Sequence, residues 1–275
     1  MKWLVAGPLA CFDCETTGVQ VETDRIVTAT VGTLQPGTPT WKQSIRSWLI
    51  NSGVDIPDEA TAVHGITTVQ AKKHGKEPPG ALDIIAHDLA RLFLARIPVV
   101  GTNVCFDFTI LDRELRRHDL PTLDERIGRS IGPIVDVYVI DKWLDPYRKG
   151  GRKLTDLCAQ YGVKIDGAHD SAFDALAAAR VAYRLALLSQ DFQAASAAYV
   201  YKRRNPLEIV ERLATLGAMS MIDLHLAQVR WRREQCDSLR AHFDRNGTAH
   251  DGVPGDWPCI PFLTATNEAV LLHGL

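Results

Sequence analysis

The chain has no apolar run approaching the length that crosses a bilayer, no internal repeat and no low-complexity tract. A membrane helix needs about 20 consecutive apolar residues, so insertion is not expected. Near the N-terminus one lysine precedes a short apolar run that leads into an acidic motif where a signal-peptide cleavage site would fall, so secretion is not expected either, and the implied location is cytoplasmic. Basic charge is also lacking: 31 Lys and Arg stand against 33 Asp and Glu, a net charge of −2. Bulk attraction cannot hold a polyanion on such a chain, so any grip on one must be local. Among six cysteines only Cys11 and Cys14 are closely spaced, and they fall on opposite faces of one expected strand. Cys105, Cys158, Cys236 and Cys259 are scattered, which argues against a four-cysteine zinc cage and for free, mostly buried thiols in a reducing compartment. What remains is 275 residues, 46% apolar and 23% charged, enough for one sizeable core plus an appendage.

The chemistry is concentrated in three short segments. Phe12-Asp13-Cys14-Glu15-Thr16-Thr17-Gly18 follows the apolar run Leu9-Ala10-Cys11. Side chains alternate along a strand, so Asp13 and Glu15 share a face and repel one another. A divalent cation is their natural partner, and hard oxygen donors favour Mg²⁺ or Mn²⁺ over zinc. In Gly101-Thr102-Asn103-Val104-Cys105-Phe106-Asp107 a strand-like run, Ile97 to Val100, leads to a turn and a helix that opens near a third carboxylate. In His169-Asp170-Ser171-Ala172-Phe173-Asp174-Ala175 a histidine lies five residues before an aspartate in the first turns of an alanine-rich helix. These supply a base and a fourth ligand.

In this order the three segments resemble the motifs of the DnaQ-like DEDDh exonucleases, over about residues 8 to 188. A lesser segment, Ala60 to Thr67, resembles that family's loop near the terminal nucleotide. Two departures are visible, Thr102 where many members have histidine and Ser171 where many have alanine; neither touches the carboxylates or the base. The resemblance implies that Asp13, Glu15, Asp107 and Asp174 bind two divalent ions, with His169 as general base. It also implies substrate contacts from Thr16, Thr17, His64, Asn103 and Phe106. Two metal ions suit phosphodiester hydrolysis because they clamp the attacking and leaving oxygens together. A histidine with an ordinary pKa near 6.5 can take the water's proton at neutral pH while the carboxylates are occupied as ligands.

The implied activity is a 3′-to-5′ exonuclease acting on single-stranded or frayed nucleic acid ends, DNA being preferred, with a DNA polymerase a candidate partner. The runner-up is an RNA-trimming enzyme similar to RNase T or oligoribonuclease; a catalytically inactive nucleic-acid-binding module is the reading from another class. Oligomeric state is not specified. Several residues have plainer alternatives. His64 serves either the substrate or the loop, and Phe106 and Phe12 either the site or the core. Asp170 and Ser171 read as helix caps, and Asp136, Asp141, Asp145 and Asp156 as caps or solvated acids. The basic loop Arg148 to Lys153 either contacts phosphates or is merely solvated.

Strands are expected near 9–14, 26–33, 40–46, 97–101 and 134–136, and helices at 81–96, through 112–116, at 154–161 and from about 172. Three strands followed by strand–helix alternation suggest an α/β fold, an RNase H-like mixed sheet flanked by helices. The exonuclease domain is expected over 1–190, with a helical extension and a proline-containing tail over 191–275 packed on it. In the extension, 221–243 reads as a long helix with a buried stripe of Leu224, Ala227, Trp231, Leu239 and Phe243. The tail from Asp251 is expected to lie across the surface.

Overall fold

The structure, a computed structural model, describes residues 1–35, 41–164, 171–191, 193–195, 206–250 and 253–262. Its centre is a five-stranded mixed sheet in the order β3-β2-β1-β4-β5. β1 (Leu9–Thr16), β2 (Ile26–Gln35) and β3 (Lys42–Leu49) form an antiparallel meander, while β4 (Val99–Gly101) and β5 (Ile134–Asp136) run parallel to β1. This is the expected RNase H-like sheet. Leu9 to Phe12 are all buried, as befits a strand covered on both faces. The edge strand β3 is mostly exposed and carries Lys42 and Arg46, charges that discourage pairing with another chain.

Helices cover both faces. Three helices go beyond the sequence expectations: α1 (Lys2–Ala6), α2 (Asp58–His64), which overlaps the Ala60–Thr67 segment read as a loop, and α3 (Thr68–His74), which follows it. The signals for the latter two are local. Gly65 ends α2 in the left-handed region at φ 75°, and Thr67 and Gln70 form a reciprocal capping box that starts α3. α4 (Pro78–Leu94) opens with proline in its first turn and leads to β4. α5 (Val104–Arg117), α6 (Leu123–Ile127), α7 (Val137–Leu144) and α8 (Leu154–Tyr161) follow. α9 (Ser171–Leu188) lies across β1 and β2, and its buried alanines 175, 177, 178, 179, 182 and 186 allow a close approach to the sheet.

The C-terminal helices α10 (Pro206–Ala218) and α11 (Met221–Arg245) pack on this same core. α11 seals the outer edge of β5. Its fully buried Gln228 accepts from the Asp136 amide at 2.7 Å and donates to the Ile134 carbonyl at 2.9 Å, and His225 Nδ1 accepts from the Ile134 amide at 3.3 Å. Edge groups that would otherwise be buried without partners are thereby satisfied. The observed buried stripe is Leu224, Ala227, Gln228, Trp231 and Cys236, with Trp231 stacked on Trp143 at 4.1 Å between centroids. Leu239 is instead 42% exposed and Phe243 half-buried, because the helix continues past the end of the core that its first four turns cover. The tail also departs from expectation. Trp257 is buried in the core, and its indole donates to Asp136 at 3.3 Å, so 253–262 is anchored rather than draped over the surface. Among the described residues no helix is long and apolar enough to cross a membrane.

Candidate active site

β4 pairs with β1 only at Ala10 and Cys11, so beyond Cys11 that side of β1 is open. Asp107, in the first turn of α5, fills the gap: its carboxylate accepts from the Cys14 amide at 3.0 Å, between Asp13 and Glu15 on the chain. Asp107 is only 5% exposed, while Asp13 and Glu15 are half-buried, as strand alternation around the inward Cys14 requires. Burial pushes the Asp107 carboxyl well above the usual carboxylate range; Asp136 and Glu15 add to this, and the Cys14 amide partly offsets it. The Cys14 thiol is raised first by burial and then by Asp107, Asp13 and Glu15.

The turn before α5 is held tightly. Gly101 has no room for a side chain, since a Cβ there would lie 2.9 Å from the Phe12 carbonyl and 2.4 Å from Val104. Asn103 adopts φ 58°, and its amide and that of Val104 donate to Asp136 at 2.9 and 3.1 Å. Asp136 also caps α7 through the Tyr138 and Val139 amides. The cap reading of Asp136 therefore holds, but the residue is fully buried, and through this turn it sets where α5 presents Asp107.

Asp174 sits in the first turn of α9, half-buried, and with burial its charge helps push the Cys158 thiol up to about 11. Ser171 differs from the cap reading in having its hydroxyl against Thr30 at 2.8 Å and Thr28 at 3.3 Å, which ties α9 to β2. His169 and Asp170 lie outside the described residues. His64 is brought to the backbone of Thr16 at the end of β1, its Nδ1 accepts from the Ile66 amide at 3.1 Å, and burial lowers its pKa. Thr16 donates to the Gly18 carbonyl. Thr17 is buried with its hydroxyl engaged by Asp24 and the Arg25 amide, so it holds the 17–25 loop. Asn103 is exposed beside the site, Phe106 packs partly on the core, and Phe12 is wholly core, 5.3 Å from Phe108 between ring centroids.

Two features escaped the sequence reading. Glu114, 2% exposed, binds Arg25 through both carboxylate oxygens at 2.6 and 3.1 Å and also meets Arg117, fastening the loop after β1 to α5. In the basic loop, Arg148 and Arg152 turn inward onto buried Asp141 at 3.0 and 2.9 Å, and the Tyr161 hydroxyl donates to the same carboxylate at 2.8 Å. Asp141 is thus neither solvated nor a cap, and these two arginines are chiefly structural. Asp156 caps the start of α8 by accepting from the Lys153 amide. No sequence pattern pairs residues this far apart, apart from the general rule that buried charges require partners.

The donor set of Asp13, Glu15, Asp107 and Asp174 is all carboxylate, which fits a hard divalent cation, and the raised carboxyl of Asp107 marks a buried acid whose charge needs compensation. Among the described residues no three potential ligands close on a single point by themselves.

The sequence model of the exonuclease family matches residues 10–182. No curated protein matches the chain significantly. Among solved structures, Escherichia coli exonuclease I in complex with a dT13 oligonucleotide is 16% identical, with 70% of this chain and 46% of that one covered at a TM-score of 0.50. For the zinc-bound form of the E. coli exonuclease I–single-stranded DNA complex the figures are 17%, 66%, 40% and 0.52. For a moderately thermophilic exonuclease I from Methylocaldum szegediense they are 20%, 69%, 44% and 0.51. At these identities the likeness is one of fold, and the chain spans less than half the length of those proteins.

Proposed function

The chain belongs to the exonuclease family, and from that premise we propose that it is a metal-dependent 3′-to-5′ exonuclease releasing nucleoside monophosphates one at a time from single-stranded or frayed ends, with DNA preferred. The observation that carries this reading is the seating of Asp107, from the second acidic motif, on the Cys14 amide, which lies between Asp13 and Glu15 of the first. Asp174, in the first turn of α9, a helix that packs on the same strand, is assigned as the fourth carboxylate through the family motif. These four residues would hold two Mg²⁺ or Mn²⁺ ions, which when bound activate a water and stabilise charge on the phosphate. His169, assigned through the family motif, accepts the water's proton. Asn103, exposed just before α5, and His64, against the Thr16 backbone at the end of β1, are assigned to position the terminal nucleotide. The nuclease module is taken as residues 1–190, with 191–275 as a packed extension.

DNA is favoured over RNA because exonuclease I structures of like fold include complexes with dT13 and dA16 oligonucleotides, while no residue here reports on a 2′-hydroxyl. The test is a time course on 5′-labelled DNA and RNA oligonucleotides of one sequence, with magnesium, with EDTA, and with Asp13→Ala. A magnesium-dependent ladder shortening from the 3′ end, absent in Asp13→Ala, is expected, and His169→Ala should be slower by roughly 10²- to 10⁴-fold. Full activity in Asp13→Ala or in EDTA would refute the metal-site reading. Binding without cleavage in wild type would favour an inactive module.

A further inference from the structure

Immediately N-terminal to α5 lies an open cavity of about 560 Å³ lined by Thr102, Asn103, Tyr138, Arg152, Lys153 and Arg232. Three of the six are cationic and none is acidic. Arg152 shares Asp141 with Arg148, so that trio keeps one excess positive charge. Lys153 is exposed, and Arg232 sits with its guanidinium carbon 5.9 Å from the centre of the Tyr138 ring; among the described residues neither has a carboxylate partner. Two buried polar atoms that lack a hydrogen-bond partner, Thr102 Oγ1 and Arg232 Nε, belong to the same wall. The amides of Asn103 and Val104 are already taken by Asp136, so attraction here does not come from the helix end. On a chain of net charge −2, this is a local basic surface of the kind a polyanion requires.

We infer that this cavity is a phosphodiester-binding subsite for the strand whose end is hydrolysed, with Arg232 and Lys153 as its principal cations. Asn103 lies four residues before Asp107, about 6 Å along a helix at ~1.5 Å per residue, so a strand in the cavity is within a nucleotide or so of the carboxylates. Thr102 supplies a neutral donor to a phosphate oxygen. Arg232 belongs to α11, beyond the 10–182 span of the family match, so the extension contributes directly to strand binding. Contacts are to the backbone and therefore independent of sequence. This inference rests on the exonuclease reading for its substrate, yet binding tests it separately.

The experiment is fluorescence anisotropy of 5′-fluorescein-labelled dT12 and U12 with the full chain in EDTA, from 50 to 200 mM salt, for wild type, R232Q, R232K and K153Q. Each lost contact should lower the salt slope by about 0.7, equivalent to a loss of roughly 8-fold in affinity at 50 mM and 3-fold at 200 mM. R232K, which keeps the charge, should retain the wild-type slope. K153Q alters an exposed side chain and so reads binding without risk to the fold. Slopes and affinities of R232Q and K153Q equal to wild type, or no wild-type binding to either oligomer, would overturn the subsite. Reduced slopes in a chain that cleaves nothing with magnesium would leave the subsite standing and sink the exonuclease reading; cleavage with unchanged slopes would do the reverse.

Discussion

Asp136→Ala should damage stability and activity together, although the residue belongs to none of the three motifs. Its carboxylate accepts from the amides of Asn103, Val104, Tyr138 and Val139 and from the Trp257 indole, at distances of 2.9 to 3.4 Å, and it is fully buried. Each buried donor left unpaired costs about 1 to 3 kcal/mol. Asn103 is exposed and can be rehydrated, and burial raises the Asp136 pKa, so removing the charge returns part of the cost. A net loss of roughly 3 to 5 kcal/mol is therefore expected rather than the full sum. For a chain of this size that lowers Tm by about 10 °C, at ~2 to 4 °C per kcal/mol. Calorimetry on wild type, Asp136→Ala and Asp136→Asn measures it, with Asn intermediate because one acceptor oxygen survives. Cleavage of a labelled oligonucleotide, assayed well below the variant's Tm, should fall at least 10-fold, since the turn that presents Asp107 loses its anchor. A Tm within ~2 °C of wild type together with unchanged cleavage would refute the reasoning.

Gln228→Ala should cost roughly 2 to 4 kcal/mol by urea unfolding, since it strands the Asp136 amide and the Ile134 carbonyl at the β5 edge; a loss below ~1 kcal/mol would show that the edge is satisfied some other way. His225 has a pKa lowered to about 4, first by burial and then by Arg129. As pH falls from about 6.5 the unfolded chain takes up this proton before the folded one, so stability should drop by up to roughly 3 kcal/mol between pH 6.5 and 4, with no cost above that window. His225→Gln should remove this component from the pH dependence of the unfolding free energy, and identical profiles would exclude it. Cys11 and Cys259 have thiols pushed up to about 12, in each case chiefly by burial, so both should resist iodoacetamide at pH 8 in the native state, read by mass spectrometry, and react after denaturation.

Much of the fold was legible in the sequence because its signals are local. The apolar run Leu9 to Phe12, the short apolar run at 134–136 and the alanine-rich segment from 171 each specify an element through the character of its own neighbouring side chains. The acidic motifs were legible for a similar reason, since spacing within a strand or a helix's first turn fixes which carboxylates share a direction. Element ends were less so: α4 begins at Pro78 rather than 81, and β3 runs 42–49 rather than 40–46, because strand pairing and caps decide them.

Tertiary structure alone decided how distant residues divide the polar work. Asp136 and Asp141 look alike in sequence among several scattered acids, yet one fixes the turn before α5 and the other draws Arg148 and Arg152 away from solvent. Trp257 and Gln228 are unremarkable polar or aromatic positions until the core brings them to Asp136 and β5. The physical reason is that periodicity reports which face a residue shows, whereas a buried charge or an open strand edge takes whichever partner packing places nearby. The three acidic segments were written in the sequence; the seating of Asp107 on the Cys14 amide at the end of β1 depends on β4 pairing with β1 only as far as Cys11, which leaves that side of the strand open.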